Sequence, residues 1–468
     1  MKKLLILFVV TTLVSCNDFI DLTPVSQQNS ASFYKNEMEM EQALTAAYNS
    51  LKDIAQYGGD GFSTFMEVPS DNTWNENTTM DGGSYASFDN FVVNPTNPQL
   101  ERTWVSCFSG IQRCNIVISR LPNANVSDDF RTKKRGEALF LRALTYFNMV
   151  RIWGGVPLIT EEVTNVNDAF HHKRATEEEV YTQIIKDLNE AIGLLPVTYD
   201  SSNVGRATKG AAQTLLGKVY LTQKDWSKVI SLLKDGVISA NNYKLMSDFS
   251  SVFSVSNKNN AESIFEVQFD KTIEGAGYIG GDPLIKNGDV NNLPSANLRA
   301  LFEANPDDRV AASIINLSGL GWRMYKWHDT KGSNNGLGFN IIVLRYADVL
   351  LMVAEALNEL KYGNAEALSY LNQVRLRSHA KAYTYEQLLD QESFRQAVAK
   401  ERRLELAFEN QRWFDLKRTG KAIDVLNNSV GASILKVNVQ SYQLLCPIPQ
   451  SEIDASSGAL EQNPGYNK

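Results

Sequence analysis

The sequence contains few of the residues that usually mark a metal site or a nucleophilic active site. Only four of its 468 residues are histidine and only four are cysteine, and no HExxH, GxSxG or CxxC pattern occurs. The segment Gly205–Gly210 begins like a phosphate-binding loop, but Ala211 and Ala212 stand where Lys and Ser or Thr are needed. We therefore predict neither a bound metal ion nor a cofactor.

Basic residues are not in excess, and the apolar run near the start is too short to cross a membrane. The chain has 46 Lys and Arg against 53 Asp and Glu, a formal charge of −7, which disfavours nucleic acid as a partner. The run Leu4–Val14 is about half as long as the ~20 apolar residues of a membrane-spanning helix. This run is therefore predicted to be part of a secretion signal.

The first residues have the pattern of a bacterial secretion signal, because a short basic start and an apolar run precede Ser15 and Cys16. The string Leu13–Cys16 also resembles the lipobox of bacterial lipoproteins, which implies cleavage before Cys16 and lipidation of that cysteine. Several acyl chains on one residue would hold a protein stably at a membrane. We expect residues 1–15 to be the signal and residues 16–35 to be a lipid-anchored tether.

The other three cysteines do not indicate a disulfide framework. Cys107 and Cys114 lie two helical turns apart, which separates them by roughly 10 Å along a helix, too far for a disulfide. Cys446 is isolated in the sequence. We expect all three to be small buried apolar residues.

Helical periodicity dominates the rest of the chain. Thr176 with Glu179 forms a capping box, and Thr208 can cap the following helix. The clearest strand signal is Ser263–Phe269. The predicted helices cover residues 37–55, 104–121, 129–152, 176–194, 208–223, 225–239, 341–361, 364–379, 385–410 and 414–426.

Two segments, Ala211–Ile238 and Ala347–Leu376, are predicted to form antiparallel helix pairs. Small residues (Gly217, Ala354 and Ala367) fall where paired helices must approach closely. Such pairs resemble tetratricopeptide units, which stack because a single pair cannot bury its own apolar face. The sequence therefore predicts a mainly α fold with minor β structure.

Two stretches, about 56–103 and 240–340, resist assignment to helices and are rich in Gly, Asn, Asp, Ser and aromatic residues. An aromatic ring can cover the flat face of a sugar while amides and carboxylates bind its hydroxyl groups. Each ring could instead fill a small core beneath its own loop, and we expect this of Trp327. The candidate ligand-binding residues are Trp74, Asn75, Asn77, Tyr278 and Trp322.

The run from Glu401 to Arg418 is the strongest local pattern. Glu405 and Glu409 are predicted to share one helix face, and two carboxylates placed in this way could serve glycoside hydrolysis. However, Arg402 and Arg412 stand at three-residue spacing from them, and paired carboxylates have a lowered pKa, which is unsuited to a general acid. We therefore favour a structural charge network over catalysis.

Motifs along the whole chain resemble those of the SusD/RagB family of outer-membrane nutrient-binding lipoproteins. Each motif is modest alone, but their joint order behind a lipobox is specific. They are Arg135–Ala143 running into Tyr146 and Phe147, Trp153–Leu158, Arg206–Thr208, Asp308–Arg309, Arg345–Ala356, Glu401–Arg418, Leu445–Gln450 and Gln462–Tyr466.

This resemblance implies a single domain over residues 36–468, a superhelix of tetratricopeptide-like helix pairs with large, irregular, loop-rich insertions that face a glycan. It also implies a non-enzymatic protein at the cell surface, anchored to the outer membrane by its lipid, that delivers oligosaccharides to a SusC-like TonB-dependent transporter. The matching motifs belong to the scaffold, so the candidate ligand residues rest on their chemistry alone. A minority of relatives serve peptide uptake, and a peptide ligand therefore stays open as an alternative.

Overall fold

The computed structural model describes residues 33–76, 78–165, 172–280, 284, 291–333, 335–428 and 438–466. The predicted signal, the lipidation residue Cys16 and the candidate ligand residue Asn77 lie outside these residues. Within them the fold is mainly α, and none of the helices is long and apolar enough to cross a membrane.

Sixteen α-helices are found in the described residues. They are α1 (Glu37–Ser50), α2 (Gly61–Met66), α3 (Ala86–Asp89), α4 (Pro98–Arg120), α5 (Asp128–Trp153), α6 (Glu177–Leu194), α7 (Lys209–Thr222), α8 (Trp226–Leu232), α9 (Ala296–Ala304), α10 (Asp308–Ser313), α11 (Tyr346–Leu360), α12 (Ala365–Arg377), α13 (Gln391–Glu405), α14 (Arg412–Arg418), α15 (Ala422–Asn428) and α16 (Gln450–Ala455).

The β structure of the same residues consists of three two-stranded antiparallel sheets that pair β1 with β3, β2 with β6 and β4 with β5. The strands are β1 (Thr73–Trp74), β2 (Ser263–Val267), β3 (Leu293–Pro294), β4 (Ile314–Leu317), β5 (Gly321–Met324) and β6 (Ile341–Arg345). The predicted strand at 263–269 is thus confirmed over its first five residues.

The long helices form a stack in which α4 packs on α5, α5 on α6 and α6 on α7. The two predicted helix pairs are confirmed as α7 with α8 and α11 with α12. Their starts are fixed locally. Thr176 and Glu179 form the expected capping box of α6, and the Thr208 hydroxyl accepts a hydrogen bond of 3.1 Å from the amide of Ala211 in α7. Apolar periodicity and capping were therefore sufficient to locate the scaffold.

Several predicted helix boundaries are wrong. The predicted helix 341–361 opens with strand β6, because Ile341–Leu344 is rich in β-branched residues that pair with β2. Helix α4 begins at Pro98 rather than residue 104, since the Asn97 side chain accepts from the Gln99 amide and Pro suits the first turn. The predicted helix 414–426 is two helices separated at Gly420, whose φ is 72°.

The predicted helix 385–410 is shorter at both ends and spans only Gln391–Glu405. Phe408 and Asn410 beyond it have positive φ values of 65° and 61°, which end the helical path. Glu409 is therefore not on the helix face that carries Glu405, contrary to the sequence-based prediction.

The stretches that resisted helix assignment contain several short elements and a core of their own. Besides the main core under the long helices, a second buried cluster forms beneath the 240–340 segment around Phe249, Phe302 and Trp327. Helices α9 and α10 lie within this segment and were missed. The prediction that it is irregular throughout is therefore wrong over residues 296–313.

The three described cysteines are free thiols, with Cys107 and Cys114 buried and Cys446 half-buried. Burial raises the pKa of Cys114 to about 12, which keeps this thiol protonated and apolar. The expectation of small buried residues is confirmed for Cys107 and Cys114 and only partly for Cys446.

We expect Gly217→Ala to destabilise the protein, because a Cβ atom at this position of α7 would lie 2.5 Å from Cδ2 of the buried Leu233. Overpacking of this kind costs about 1–3 kcal/mol in the free energy of unfolding, measurable by denaturant titration. The matched control is Gly193→Ala in α6, where no described residue outside the local helix backbone lies within 4 Å of the added carbon and a small gain in helix stability is expected. Equal stability of the two variants would contradict the close helix contact.

Candidate ligand-binding site

The two candidate tryptophans, Trp74 and Trp322, lie on strands that belong to neighbouring strand pairs. In the β1–β3 pair Trp74 stands opposite Leu293, and β3 also contacts β5, which carries Trp322. Both indole side chains are half-buried, so each presents part of its ring at the surface. The fold thus brings together two aromatic residues that are far apart in the sequence.

Polar groups border these two rings. An ion pair of 3.6 Å joins Arg323, the residue after Trp322, to the half-exposed Glu76, two residues after Trp74. Asn316 is directly opposite Trp322 in the β4–β5 pair and is exposed. Because opposite residues of antiparallel strands point to the same face, Asn316 flanks the indole of Trp322. We call the group formed by Trp74, Glu76, Asn316 and Trp322, together with the buried Arg323 that pairs with Glu76, the aromatic corner.

Asn75 has a different environment from the one its sequence position indicated. It is fully buried. Its backbone N–H donates to Oδ2 of Asp89 at 3.1 Å, and its side-chain Nδ2 donates to Oδ1 of Asn291 at 3.1 Å. The bond to Asn291 ties the first loop segment to the second, and the bond to Asp89 lies within the first. The side chain of Asn75 therefore positions the strand that carries Trp74 and does not lie on the aromatic corner.

Tyr278 is half-buried and lies apart from the aromatic corner. Its ring packs edge-on against Phe269 at 5.6 Å and obliquely against Phe339 at 4.8 Å between ring centroids. One side of it lines an open hollow with Ile279 and Asn335, and the other lines an internal cavity of about 60 Å³ that Met324 of β5 also lines. Tyr278 is therefore connected to β5 only through the cavity that it shares with Met324.

Most other aromatic residues of the two loop segments are structural. Trp327 is buried and donates an indole hydrogen bond of 2.8 Å to the carbonyl oxygen of Phe408. Its predicted packing role is confirmed. Tyr57, Phe62 and Phe88 are also buried, so half-exposure distinguishes Trp74 and Trp322 from them.

Sequence reasoning missed Arg299, whose guanidinium carbon lies 5.5 Å from the centroid of a ring of Trp322. Arg299 is on α9, and the signals for this helix were present. Ser295 caps it by accepting from the Leu298 amide at 3.0 Å, and Leu298 and Phe302 form its buried stripe. The composition of the surrounding segment obscured this pattern.

Two family models match the chain. One, described as the SusD family, matches residues 285–466, and the other, described as starch-binding and associating with the outer membrane, matches residues 18–221. A relative, SusD-like protein P25 of Formosa agariphila, is 27% identical over 98% of both chains.

Solved structures agree with these matches. A laminarin-binding SusD-like protein is 30% identical, with a TM-score of 0.79 over 92% of this chain and 100% of that one. The chain belongs to the SusD family. Surface glycan-binding protein A of Bacteroides thetaiotaomicron, solved with laminarihexaose, is 25% identical, with a TM-score of 0.78 over the same shares of the two chains. These SusD structures confirm the predicted mainly α fold.

The carboxylate of Glu405 in this SusD protein is held by arginines and is not open to a substrate. Glu405 is fully buried and contacts Arg377, Arg345 at 2.7 Å and Arg309 at 3.3 Å. Burial favours its protonated form, but the three guanidinium groups outweigh this and hold the pKa of Glu405 well below its usual value. A carboxylate in this state cannot act as a general acid near neutral pH.

Glu409 is bound in the same way, by Lys326 at 2.8 Å and Arg345 at 2.6 Å. The predicted charge network around Glu405 and Glu409 is therefore present, but their predicted arginine partners are wrong. Arg402 pairs with Asp348 and Asp415 instead. Arg412 likewise pairs with Asp71 and not with Glu409. The side chains that neutralise Glu405 and Glu409 come from distant segments.

Replacing Glu405 with Gln is expected to lower the free energy of unfolding at neutral pH by about 3–5 kcal/mol, because three buried guanidinium groups lose a charged partner. The folded-state pKa of Glu405 lies below its unfolded value of 4.5. Its stabilisation is therefore complete above pH 4.5 and is lost as the pH falls below that value. The difference in the free energy of unfolding between the native protein and the variant should therefore decrease on acidification, as measured by thermal or denaturant unfolding.

The matched control is Glu392→Gln in the same helix. Glu392 is about half-exposed and pairs with Arg395 at 3.2 Å, so its loss is expected to cost no more than about 0.5 kcal/mol. If both variants cost the same, or if the gap for Glu405→Gln is independent of pH, the account of the buried network is wrong.

Proposed function

We propose that this protein binds glycans at the cell surface and delivers them to a SusC-like TonB-dependent transporter of the outer membrane. The aromatic corner is the observation that carries the proposal. Half-exposed indoles of Trp74 and Trp322 offer flat apolar surfaces, while the exposed side chains of Glu76 and Asn316 offer hydrogen-bonding groups beside them. This combination suits a pyranose ring, which has an apolar face and a polar rim.

The relatives support the class of ligand. A SusD-like protein with 30% identity is named for binding laminarin, and another relative was solved with laminarihexaose. A shallow polar surface binds each sugar weakly, since ordering and desolvation offset much of the gain. Several contacts along one long glycan raise the overall affinity.

The geometry also supports binding without cleavage. The two carboxylates that could have served hydrolysis, Glu405 and Glu409, are buried and fully occupied by basic side chains. Neither carboxylate is part of the aromatic corner, because both belong to the buried charge network. We therefore assign no catalytic residue and propose capture and transfer alone.

The N-terminal segment supports the location. Lipidation of Cys16, followed by a tether through residue 35, would anchor the protein to the outer membrane. The described chain would then be held near the transporter that accepts its ligand, and anchoring raises the effective concentration of each partner for the other. Tyr278, which lines the open hollow beyond β5, would extend the ligand surface.

Trp74→Ala and Trp322→Ala are each expected to weaken glycan binding by about tenfold, because each removes an aromatic contact at the centre of the site. Affinity gel electrophoresis or calorimetry with laminarin and other polysaccharides, with peptides as a second panel, measures this. The control is Trp226→Ala, which removes a half-buried indole from helix α8 of the scaffold and should leave binding unchanged.

Unchanged glycan binding in both corner variants, with melting temperatures like that of the native protein, would remove the proposed site. Binding of peptides and no glycan would favour the peptide-uptake alternative over the proposed function. Release of reducing ends during the same incubations would contradict the absence of catalysis.

Cys16→Ser is expected to abolish incorporation of labelled fatty acid and to move the protein from the membrane fraction to the soluble fraction. The physical reason is that the acyl chains on Cys16 are proposed to supply all of the membrane affinity. Cys446→Ser, which changes a half-buried thiol of the folded part, is the control and should retain the label. A membrane-bound, unlabelled Cys16→Ser protein would show that another element anchors the chain.

A further inference from the structure

The cation beside Trp322 lacks the partners that other cations in this region have. The guanidinium of Arg299 lies 5.5 Å from the ring centroid of Trp322. Among the described residues its side chain forms no ion pair or hydrogen bond, and its Nε atom is buried without an acceptor. Arg299 is thus a cation without a charged partner among the described side chains.

The carboxylates around the aromatic corner are already engaged. Glu76 pairs with Arg323 at 3.6 Å. Asp71 serves two other arginines, Arg403 at 3.1 Å and Arg412 at 2.7 Å. Glu76 and Asp71 therefore already have arginine partners other than Arg299.

The helix of Arg299 supplies no partner either. Glu303 is one turn further along α9 and exposed, yet it does not come within ion-pair distance of Arg299. The guanidinium is instead held over one side of an indole, which is an attractive arrangement for a cation. Arg299 is half-buried, and its two terminal NH2 groups donate to no described residue.

We propose that Arg299 makes the aromatic corner selective for glycans that carry an anionic substituent, a carboxylate or a sulfate group. The proposal rests on the proposed glycan-binding function and specifies the class of glycan. The planar fork of a guanidinium matches two oxygen atoms of such a group, and charge-assisted hydrogen bonds of this kind are stronger than neutral ones. A pyranose ring over Trp322 would place its acidic substituent against Arg299. This selectivity would distinguish the chain from the relative named for binding laminarin.

Calorimetry with three ligands tests the assignment: an oligogalacturonate for the carboxylate, a sulfated galactan oligosaccharide for the sulfate, and laminarihexaose as the neutral glycan. We expect at least one anionic ligand to bind, and to bind more weakly as salt is raised. Arg299→Gln should weaken that binding by about tenfold or more, while any neutral binding changes by less than about twofold. Arg299→Lys, which keeps the charge and loses the fork, should be intermediate.

The matched control is Arg102→Gln, because Arg102 is an exposed residue of α4 and its replacement changes the net charge equally. Laminarihexaose binding that depends on Trp74 and Trp322, with no anionic ligand bound, would overturn the selectivity and leave the glycan-binding function intact. Equal loss in Arg102→Gln and Arg299→Gln would also overturn it, by assigning the effect to overall charge. Absence of binding to every glycan would instead contradict the proposed function itself.

Discussion

Arg345 connects the helical scaffold to the loop segments through a set of buried ion pairs. It is the last residue of β6 and contacts Glu262 at 2.8 Å, Glu405 at 2.7 Å and Glu409 at 2.6 Å, all of them buried. Removing charges from water is expensive, and an unpaired charge left inside a protein is more so. Only a few arrangements of the chain can pair all the charges of this cluster. The segments that supply these charges are therefore fixed relative to one another.

The aromatic corner depends on this same region. Lys326 donates to Glu409 at 2.8 Å and lies four residues after Trp322. Glu67 lies before Trp74, and its carboxylate accepts from the amides of Phe408 at 3.0 Å and Asn410 at 2.9 Å. Both loop segments are thus attached to the turn that follows α13, one through a lysine and the other through a glutamate. The spacing of the two indoles follows from two attachments to one short piece of chain.

This turn also marks the limit of what the sequence could reveal. Caps and apolar periodicity located α6, α7 and the helix pairs, because both are local properties of the chain. The apolar pattern of α13 continues past Glu405, so the sequence predicts a helix that extends to residue 410. The bonds from Glu67 that hold Phe408 and Asn410 in the left-handed conformation join residues some 340 positions apart, and no local pattern reports them. For the same reason sequence spacing predicts Arg402 as the partner of Glu405 and Arg412 as the partner of Glu409, and it predicts Asn75 beside the ligand rather than in the interior.

The β1–β3 pair has a consequence for how this surface changes over evolution. The register opposes Trp74 to Leu293 and Thr73 to Pro294 through the backbone, so the positions of the outward side chains do not depend on what those side chains are. The exposed residues of the corner, Glu76 and Asn316, can consequently be exchanged at little cost to folding, whereas the arginine and glutamate positions of the buried network cannot. Homologous chains could therefore evolve to bind a different nutrient through substitutions at a few surface residues, while the buried scaffold stays the same.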